Sequence, residues 1–135
     1  MSELDWEQLL RDGLDAYNRG EWDAVLPYAA LDIELQRAPT SPEAGTLVRG
    51  REQVVEFFRP DALSEQQLDM LEFHEGAGAF LAKMRFSAKG AGSGLPVELI
   101  AFIVYRVEGE RVTRIEIYNE EADGRRAAGV DPPSS

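Results

Sequence analysis

The sequence predicts an α+β fold in which helices come first and a run of antiparallel strands follows. Several segments within the first 60 residues show apolar side chains every three or four positions, which is the period of a helix with one buried face. From residue 66 onward, four strand-like segments are separated by short turns containing Gly or Glu, which is typical of consecutive hairpins. The 135 residues are enough for one domain with one core.

Three helices are predicted before the run of strands. The first covers residues 3–18, where the apolar positions at helical spacing are Trp6, Leu10, Leu14 and Tyr17. The second covers residues 21–28. The third opens at Arg51 and ends before Pro60, because proline lacks the amide that a longer helix would need.

One strand is predicted between the second and third helices. Residues 31–37 alternate between apolar and polar side chains, so Ile33 and Leu35 share one face and Arg37 continues it. A loop is predicted at residues 38–49. The later strands are predicted at Gln66–Glu75, Gly78–Ala88, Pro96–Val107 and Arg111–Asn119. After Glu120 the chain becomes polar, which predicts a mobile tail at residues 123–135 behind a single domain at residues 1–122.

The charge and the cysteine count exclude several classes of function. A net charge of -11 opposes binding to nucleic acid or to an anionic membrane surface. With no cysteine and one histidine, thiolate chemistry and zinc sites built from Cys and His are excluded. We therefore expect no metal and no cofactor. No apolar stretch approaches the ~18 residues of a membrane span, and we expect a cytoplasmic protein.

Four stretches of the sequence carry a family resemblance. They are Asn18-Arg19-Gly20-Glu21-Trp22-Asp23, Leu31-Asp32-Ile33-Glu34-Leu35, Pro42-Glu43-Ala44-Gly45-Thr46 with Arg49-Gly50-Arg51-Glu52, and the hairpin from Tyr105 to Tyr118. Together they resemble the SnoaL-like branch of the nuclear transport factor 2-like superfamily over residues 5–125. The resemblance implies a cone-shaped domain of three N-terminal helices packed on a curved, mostly antiparallel sheet.

The fold named by this resemblance hosts isomerases, cyclases, dehydratases, epoxide hydrolases and non-catalytic binders. Ketosteroid isomerases of the fold use a tyrosine and two aspartates, and the resemblance places Gly13, Arg37 and Ile103 at those positions. None of the three can serve as a general base near neutral pH, and neither Gly13 nor Ile103 can donate to an oxyanion. The aspartate pair of the epoxide hydrolases and the histidine pair of scytalone dehydratase have no counterpart either, since His74 is the only histidine.

The phase of the strands implied by the resemblance predicts an apolar pocket with few polar groups. Its ligand-binding residues are expected to be Arg37, Phe80, Met84, Phe86, Leu99, Ile103, Tyr105, Ile117 and Asn119. Two interpretations of Arg37 are open. Its side chain either reaches solvent or Glu43 past the end of the strand, or it binds a carboxylate or enolate of the ligand with its planar guanidinium.

The candidate catalytic residues are Asp69 and His74. His74 shares a strand face with Glu72, which could orient the imidazole as a general base. Asp69 is the better base if the opposite face points inward. The sequence leaves this choice open, because Leu68 and Met70 favour one face while Leu71 and Phe73 favour the other.

Two functions fit these observations. The first is a protein that binds an apolar small molecule. The alternative is a cofactor-independent isomerase, cyclase or dehydratase that abstracts and returns a proton on a carbonyl substrate, with Arg37 or Tyr105 stabilising oxyanion charge. The outer sheet face carries mixed apolar and charged side chains with nothing from this chain predicted to cover it, which favours a homodimer through that face.

Overall fold

The computed structural model describes residues 5–21, 28–37, 47–58, 63–76, 79–90 and 96–130. In chain order its elements are α1 (Trp6–Asn18), β1 (Ala29–Arg37), β2 (Leu47–Arg49), α2 (Arg51–Phe58), β3 (Leu63–Glu75), β4 (Ala79–Gly90), β5 (Pro96–Glu108), β6 (Arg111–Tyr118) and α3 (Glu121–Ala128). The predicted α+β class is confirmed, with α1, α2, β1 and β3 to β6 at their predicted places. The second predicted helix, at residues 21–28, falls almost wholly outside the described residues. No helix in the described part of the chain is long and apolar enough to cross a membrane.

The six strands form one curved sheet in the order β2-β1-β6-β5-β4-β3. Only β1 and β6 run parallel among the described strand pairs, so the sheet is mostly antiparallel, as predicted. The short edge strand β2 lies inside the stretch that the sequence analysis assigned to a loop at residues 38–49. It pairs with β1 through three residues, which were too few to give an alternating pattern.

The first helix lies against the opposite edge strand, β3. Asp5 caps its N-terminus by accepting a hydrogen bond of 3.1 Å from the amide of Gln8. At the other end, the side-chain amide of Asn18 both donates to the carbonyl and accepts from the amide of Leu68, each at 2.9 Å. Arg11 donates to the carbonyl of Met70 at 3.2 Å. These side chains satisfy edge groups of β3 that would otherwise be open to pairing with another strand.

The inner face of the sheet, which α1 and α2 cover, carries the main core. We call these residues the inner cluster; they are Trp6, Leu10, Leu14, Tyr17, Ala29, Ile33, Leu35, Val54, Leu68, Met70, Ala82, Met84, Ile103, Tyr105, Val112 and Ile115. Members of the cluster come from α1, α2 and every strand except β2. Two helices therefore bury one face of the sheet along most of its width.

A β-bulge in β3 resolves the phase that the sequence left open. The pairing register with β4 shifts between Met70 and Glu72, so Leu71 has no partner of its own and is 39% exposed. Met70 lies in the inner cluster, and Phe73 packs against the same cluster. The bulge therefore places Leu68, Met70 and Phe73 on one face and leaves Leu71 exposed, which a strict alternation of side chains could not achieve.

The outer face of the sheet is covered by α3, which corrects the prediction of a polar tail from residue 123. We call the residues packed there the outer cluster; they are Ala79, Leu81, Phe102, Val104, Tyr118 and Ala128. Gly124 lies so close to the sheet that a β-carbon on it would be 3.0 Å from Cβ of Phe102. Gly129 ends the helix in the left-handed conformation, with φ of 72°. Residues 131–135 lie outside the described part of the chain.

The position of α3 removes the reason for which a homodimer was predicted. That prediction assumed that no part of this chain covers the outer face, yet Phe102 and Tyr118 are buried beneath α3. The C-terminal helix α3 was not predicted, while the first and third predicted helices correspond to α1 and α2. A homodimer stays a prediction, and its contact would have to use parts of the surface that α3 leaves open.

We predict that Gly76→Ala destabilises the domain by about 2–3 kcal/mol, because a β-carbon there would lie 2.0 Å from the carbonyl oxygen of Ala128. The C-terminal end of α3 would have to move off the sheet. Urea unfolding measures the change, with Glu75→Ala as the control because that neighbouring side chain is exposed and its removal adds no atoms. Equal stability of Gly76→Ala and the wild type would contradict the close docking of α3.

Candidate functional site

Six of the nine predicted ligand-binding residues lie on the inner face. Met84, Ile103 and Tyr105 are members of the inner cluster, and Phe80, Phe86 and Ile117 pack against it. The other three are Leu99, Asn119 and Arg37. Leu99 is 53% exposed on β5, and Asn119 is exposed just after the end of β6. The inner face is thus apolar, as the sequence predicted. Leu99 and Asn119 lie where the sheet is exposed to solvent.

Aromatic rings from three elements form one wall of this surface. The rings of Phe73 and Phe80 stack with centroids 5.3 Å apart at an interplanar angle of 26°. The indole of Trp6 lies 6.0 Å from the Phe80 ring at 36°. Neither Trp6 nor Phe73 was predicted from the sequence as a ligand contact. Trp6 was assigned only to the buried face of its helix, and the phase of Phe73 depends on the bulge.

Tyr105 supplies the most distinctive polar group of the inner cluster. Its side chain is 5% exposed and lies between Phe80 on β4 and Ile115 on β6 in the pairing register. The hydroxyl makes no hydrogen bond with any part of the chain that the structure describes. Burial raises the pKa of Tyr105 above its usual value of 10.0, so the hydroxyl keeps its proton and can donate at every physiological pH.

Arg37 lies at the end of β1, exposed rather than buried in the apolar surface. It stands beside Ile117 of β6 in the pairing register. Its guanidinium carbon is 5.2 Å from the centre of the Phe57 ring of α2, which is a cation–π distance. The guanidinium of Arg37 therefore lies at the rim of the inner face and stacks on an aromatic ring. This position does not choose between the two interpretations given above.

Asp69 and His74, the candidate bases, both lie away from the inner cluster. A carboxylate oxygen of Asp69 is 3.3 Å from Nη2 of Arg85 on the outer side of β4. Asp69 also lines a surface groove of about 310 Å³ between α1 and β3, together with Arg11 and Asp15. The groove is separate from Tyr105, which is not among its lining residues.

His74 belongs to a polar cluster beside α3. Its Nε2 is 3.0 Å from the carboxylate of Glu72 and 3.5 Å from Nη2 of Arg125. The hydrogen bond with His74 lowers the pKa of Glu72, and Lys83 on β4 adds to that effect. Arg125 is 8% exposed and is bound to Glu121 at 2.7 Å. This arrangement holds α3 against the sheet.

The described residues show how little charge is buried in this domain. Arg125 is the only buried charged side chain among them, and it lies under α3. Within the same residues, no group of three or more His, Asp or Glu side chains could hold a metal ion. The inner face, as far as it is described, therefore offers a hydrogen-bond donor and apolar contacts rather than a carboxylate base.

The outer face beside α3 carries a ladder of charged side chains on β1, β6 and β5. Arg114 lies between Glu34, at 2.9 Å, and Glu116, also at 2.9 Å. Glu116 also accepts from Arg106 at 3.1 Å and from the Tyr118 hydroxyl at 3.1 Å. Burial acts to raise the pKa of Glu116, but these hydrogen bonds outweigh it and hold the pKa below the usual 4.5.

Comparison with known proteins places the chain in a family. The family described as the SnoaL-like domain matches residues 10–115, which is most of the chain. The chain belongs to the SnoaL-like family. This match confirms the SnoaL-like resemblance noted in the sequence. No curated protein sequence matches the SnoaL-like chain.

Solved structures share the fold of this SnoaL-like chain. A nuclear transport factor 2-like protein of unknown function from Burkholderia pseudomallei is 22% identical, with a TM-score of 0.67 over 90% of this chain and 95% of its own. A protein from Catenulispora acidiphila with a ketosteroid isomerase-like fold, solved with trimethylamine, is 15% identical, with a TM-score of 0.67 over 96% of each chain. TerC, co-crystallised with polyporic acid, is 16% identical, with a TM-score of 0.67 over 90% of this chain and 95% of its own. At these identities the likeness shows the fold alone.

We predict that the SnoaL-like domain loses stability as the pH falls below about 4.5, in part through Glu116. Folding lowers the pKa of this carboxyl, so its contribution is present above the ordinary carboxyl pKa and disappears as the group becomes protonated. Glu116→Gln should cost about 1–2 kcal/mol at pH 7 and flatten the decrease in the free energy of unfolding between about pH 5 and pH 3.

The measurement is urea unfolding at a series of pH values, with Glu110→Gln on the exposed turn before β6 as the control. The control should match the wild type at every pH. A Glu116→Gln variant whose stability falls with acid as steeply as that of the wild type would show that the ladder does not depend on this carboxylate.

Proposed function

We propose that this SnoaL-like chain binds an apolar small molecule on the inner face of its sheet, with the Tyr105 hydroxyl as a polar contact. One observation carries the proposal: the hydroxyl of Tyr105, a residue that is 5% exposed, makes no hydrogen bond in the described chain and lies on a face that is otherwise apolar. A ligand acceptor that pairs with this hydroxyl would contribute about 0.5–1.5 kcal/mol to binding. Small-molecule sites commonly combine apolar walls with a few such groups.

The composition of the wall supports the same proposal. Phe80 stacks with Phe73 and contacts the indole of Trp6, and Met84 lies on the same strand as Phe80. Aromatic rings give a large contact area for a ring compound, and methionine adapts to irregular shapes. Arg37, which the sequence predicted as a ligand contact, lies at the rim of this face, and we propose that it borders the entrance.

Two neighbours of the same fold were solved with small organic molecules. One is in complex with trimethylamine, and the other was co-crystallised with polyporic acid. They support the proposal that the cone of this fold can accommodate a small molecule. The two bound molecules differ in their chemistry, so the kind of molecule that this chain binds must be inferred from its own residues.

A second candidate function is an isomerase, cyclase or dehydratase that acts by proton abstraction on an apolar carbonyl compound. The observation that favours it is the protonated Tyr105 hydroxyl, which could stabilise an oxyanion as it develops. A base would have to come from a residue other than Asp69 or His74, since both are bound to partners outside the inner cluster. Binding without catalysis needs no such residue and is therefore our first proposal.

A blocking substitution tests the binding function. Ala101 follows the inward phase of Ile103 and pairs with Met84, so a larger side chain there would occupy the inner face. We expect Ala101→Phe to weaken binding of naphthalene-sized ring compounds by about tenfold or more. Isothermal titration calorimetry measures the affinity, and thermal unfolding verifies that the variant folds.

The matched control is Ile100→Phe, which adds a ring to the adjacent residue on the opposite face, where Ile100 packs against the outer cluster. This variant should bind as the wild type does. Equal weakening by both variants would contradict the inner face as the site. Absence of binding to the wild type at about 1 mM for every ring compound in the panel would contradict the function itself.

A further inference from the structure

We infer that the inner face binds an apolar ring compound that carries a carboxylate, and that Arg51 at the start of α2 is the residue that holds this carboxylate. The inference rests on the proposed binding function and adds the chemical class of the ligand. It depends on an arginine side chain that the described part of the protein leaves without a counter-charge, and on the place of that side chain beside the aromatic rings of the inner face.

The guanidinium of Arg51 makes fewer hydrogen bonds than its burial calls for. Its Nη2 donates to the carbonyl oxygen of Ala29 at 2.6 Å. Its Nε is enclosed by the protein and has no hydrogen-bond partner, the one side-chain nitrogen or oxygen of the described residues in that state. Folded proteins rarely keep such a donor, because it loses its hydration and gains no hydrogen bond in return. The single bond with Ala29 therefore does not account for the position of this side chain.

Arg51 also differs from the other buried arginines in having no carboxylate partner. Within the described chain, the other partly or fully buried arginines form the ion pairs Arg11–Glu7, Arg85–Asp69, Arg106–Glu116, Arg114–Glu116 and Arg125–Glu121. Arg51 forms no ion pair with any described residue. Three and four residues further along α2, where an acid could pair with it, the sequence has Val54 and Val55. A chain with a net charge of -11 thus leaves this one partly buried cation uncompensated.

Arg51 lies where the inner face meets the start of β1. Ala29, whose carbonyl accepts from the guanidinium, is a buried member of the inner cluster. The residue before it is Tyr28, whose ring lies 6.3 Å from the indole of Trp6 at an interplanar angle of 77°. The indole in turn contacts the ring of Phe80. A ring compound that stacks on Trp6 can therefore present a carboxylate to Arg51.

The chemistry of the guanidinium favours a carboxylate over other groups. An arginine keeps its charge at physiological pH and offers parallel N–H groups that match two carboxylate oxygens. Arg51 is only partly buried, so an anion can pair with it without losing all of its hydration. The net charge of -11 repels a phosphate dianion more strongly than a carboxylate. Arg37, at the rim of the same face, is exposed, so water already hydrates its charge.

Three probes that share one ring system separate the charge from the ring. Naphthalene has no polar group, 2-naphthamide adds an uncharged amide, and 2-naphthoate adds a carboxylate that is ionised at pH 7. The amide and the carboxylate have nearly the same shape, so the ratio of their affinities measures the effect of the charge. We expect isothermal titration calorimetry to show that the wild type binds 2-naphthoate about tenfold or more tightly than 2-naphthamide.

The decisive variant is Arg51→Met, which keeps an unbranched side chain and removes the charge. It should bind 2-naphthoate about tenfold more weakly than the wild type does and bind naphthalene within about twofold of the wild type. Arg51→Gln removes the same charge but keeps a side-chain donor for the Ala29 carbonyl, and it should lose the same preference for the carboxylate. Thermal unfolding verifies that both variants fold, and Arg51→Gln replaces Arg51→Met if the latter does not.

The matched control is Arg111→Met. Arg111 forms no ion pair in the described chain either, but it is exposed at the start of β6. Its substitution changes the net charge by the same amount as that of Arg51, and it should leave the affinity for all three probes as in the wild type. Equal weakening of 2-naphthoate binding by Arg111→Met and Arg51→Met would show a general effect of charge and contradict the inference.

The remaining results also decide the inference. If 2-naphthoate binds no more tightly than 2-naphthamide, the inference is wrong while the binding function stands. If the preference for the carboxylate survives in the Arg51 variants, or is lost in Arg37→Met instead, Arg51 does not hold the carboxylate and the inference is wrong. If none of the three probes binds the wild type, the proposed binding function fails, and the inference fails with it.

Discussion

The central strands β4 and β5 carry apolar side chains on both faces, and the chain must therefore cover its sheet twice. Met84 and Ile103 point to the inner cluster, whereas Leu81 and Val104 point to the outer one. A sheet with water on one face needs only a single apolar side per strand. Here α1 and α2 cover the inner face and α3 covers the outer face, so the placement of all three described helices follows from this one constraint.

The double cover separates the charges of the domain from its interior. Arg114 and Glu116 lie on the outer side of β6, where the charged ladder bonds them to β1 and β5, and Arg125 is paired within α3. The inner side of the sheet is apolar, and burial there raises the pKa of Tyr105, so its hydroxyl stays protonated. A net charge of -11 is thus compatible with an interior in which the described residues bury no carboxylate. The chemistry proposed for this site depends on that separation.

Much of the fold could be predicted from the sequence, because the periods of the helices and strands are local properties. The alternation over residues 31–37 located β1. The inward positions of Met84, Ile103 and Tyr105 were implied by the family resemblance, and they lie in the inner cluster. The bulge in β3 could not be predicted, since two opposed alternations in one strand do not say where the extra residue lies. Because of the bulge, both Asp69 and His74, the two predicted bases, lie away from the inner cluster.

The helix α3 was missed because its sequence is polar and short. Its buried residues include Gly124 and Arg125, which no apolar pattern would assign to a core. Two signals pointed to it: Glu121 and Arg125 are spaced for an ion pair on one helix face, and Gly129 can end a helix. The unbroken apolar run from Leu99 to Tyr105 was a third, because it shows that both faces of β5 are buried.

The central claim is that the two faces of the sheet differ: a ligand reaches the inner face beneath α1 and α2, whereas α3 covers the outer face. Methyl NMR spectra recorded while naphthalene is added to the wild-type protein test this most directly. We predict that the methyl signals of Met84, Ile103 and Ile117 shift with added ligand while those of Leu81 and Val104 stay unchanged. Shifts confined to Leu81 and Val104 would contradict the account.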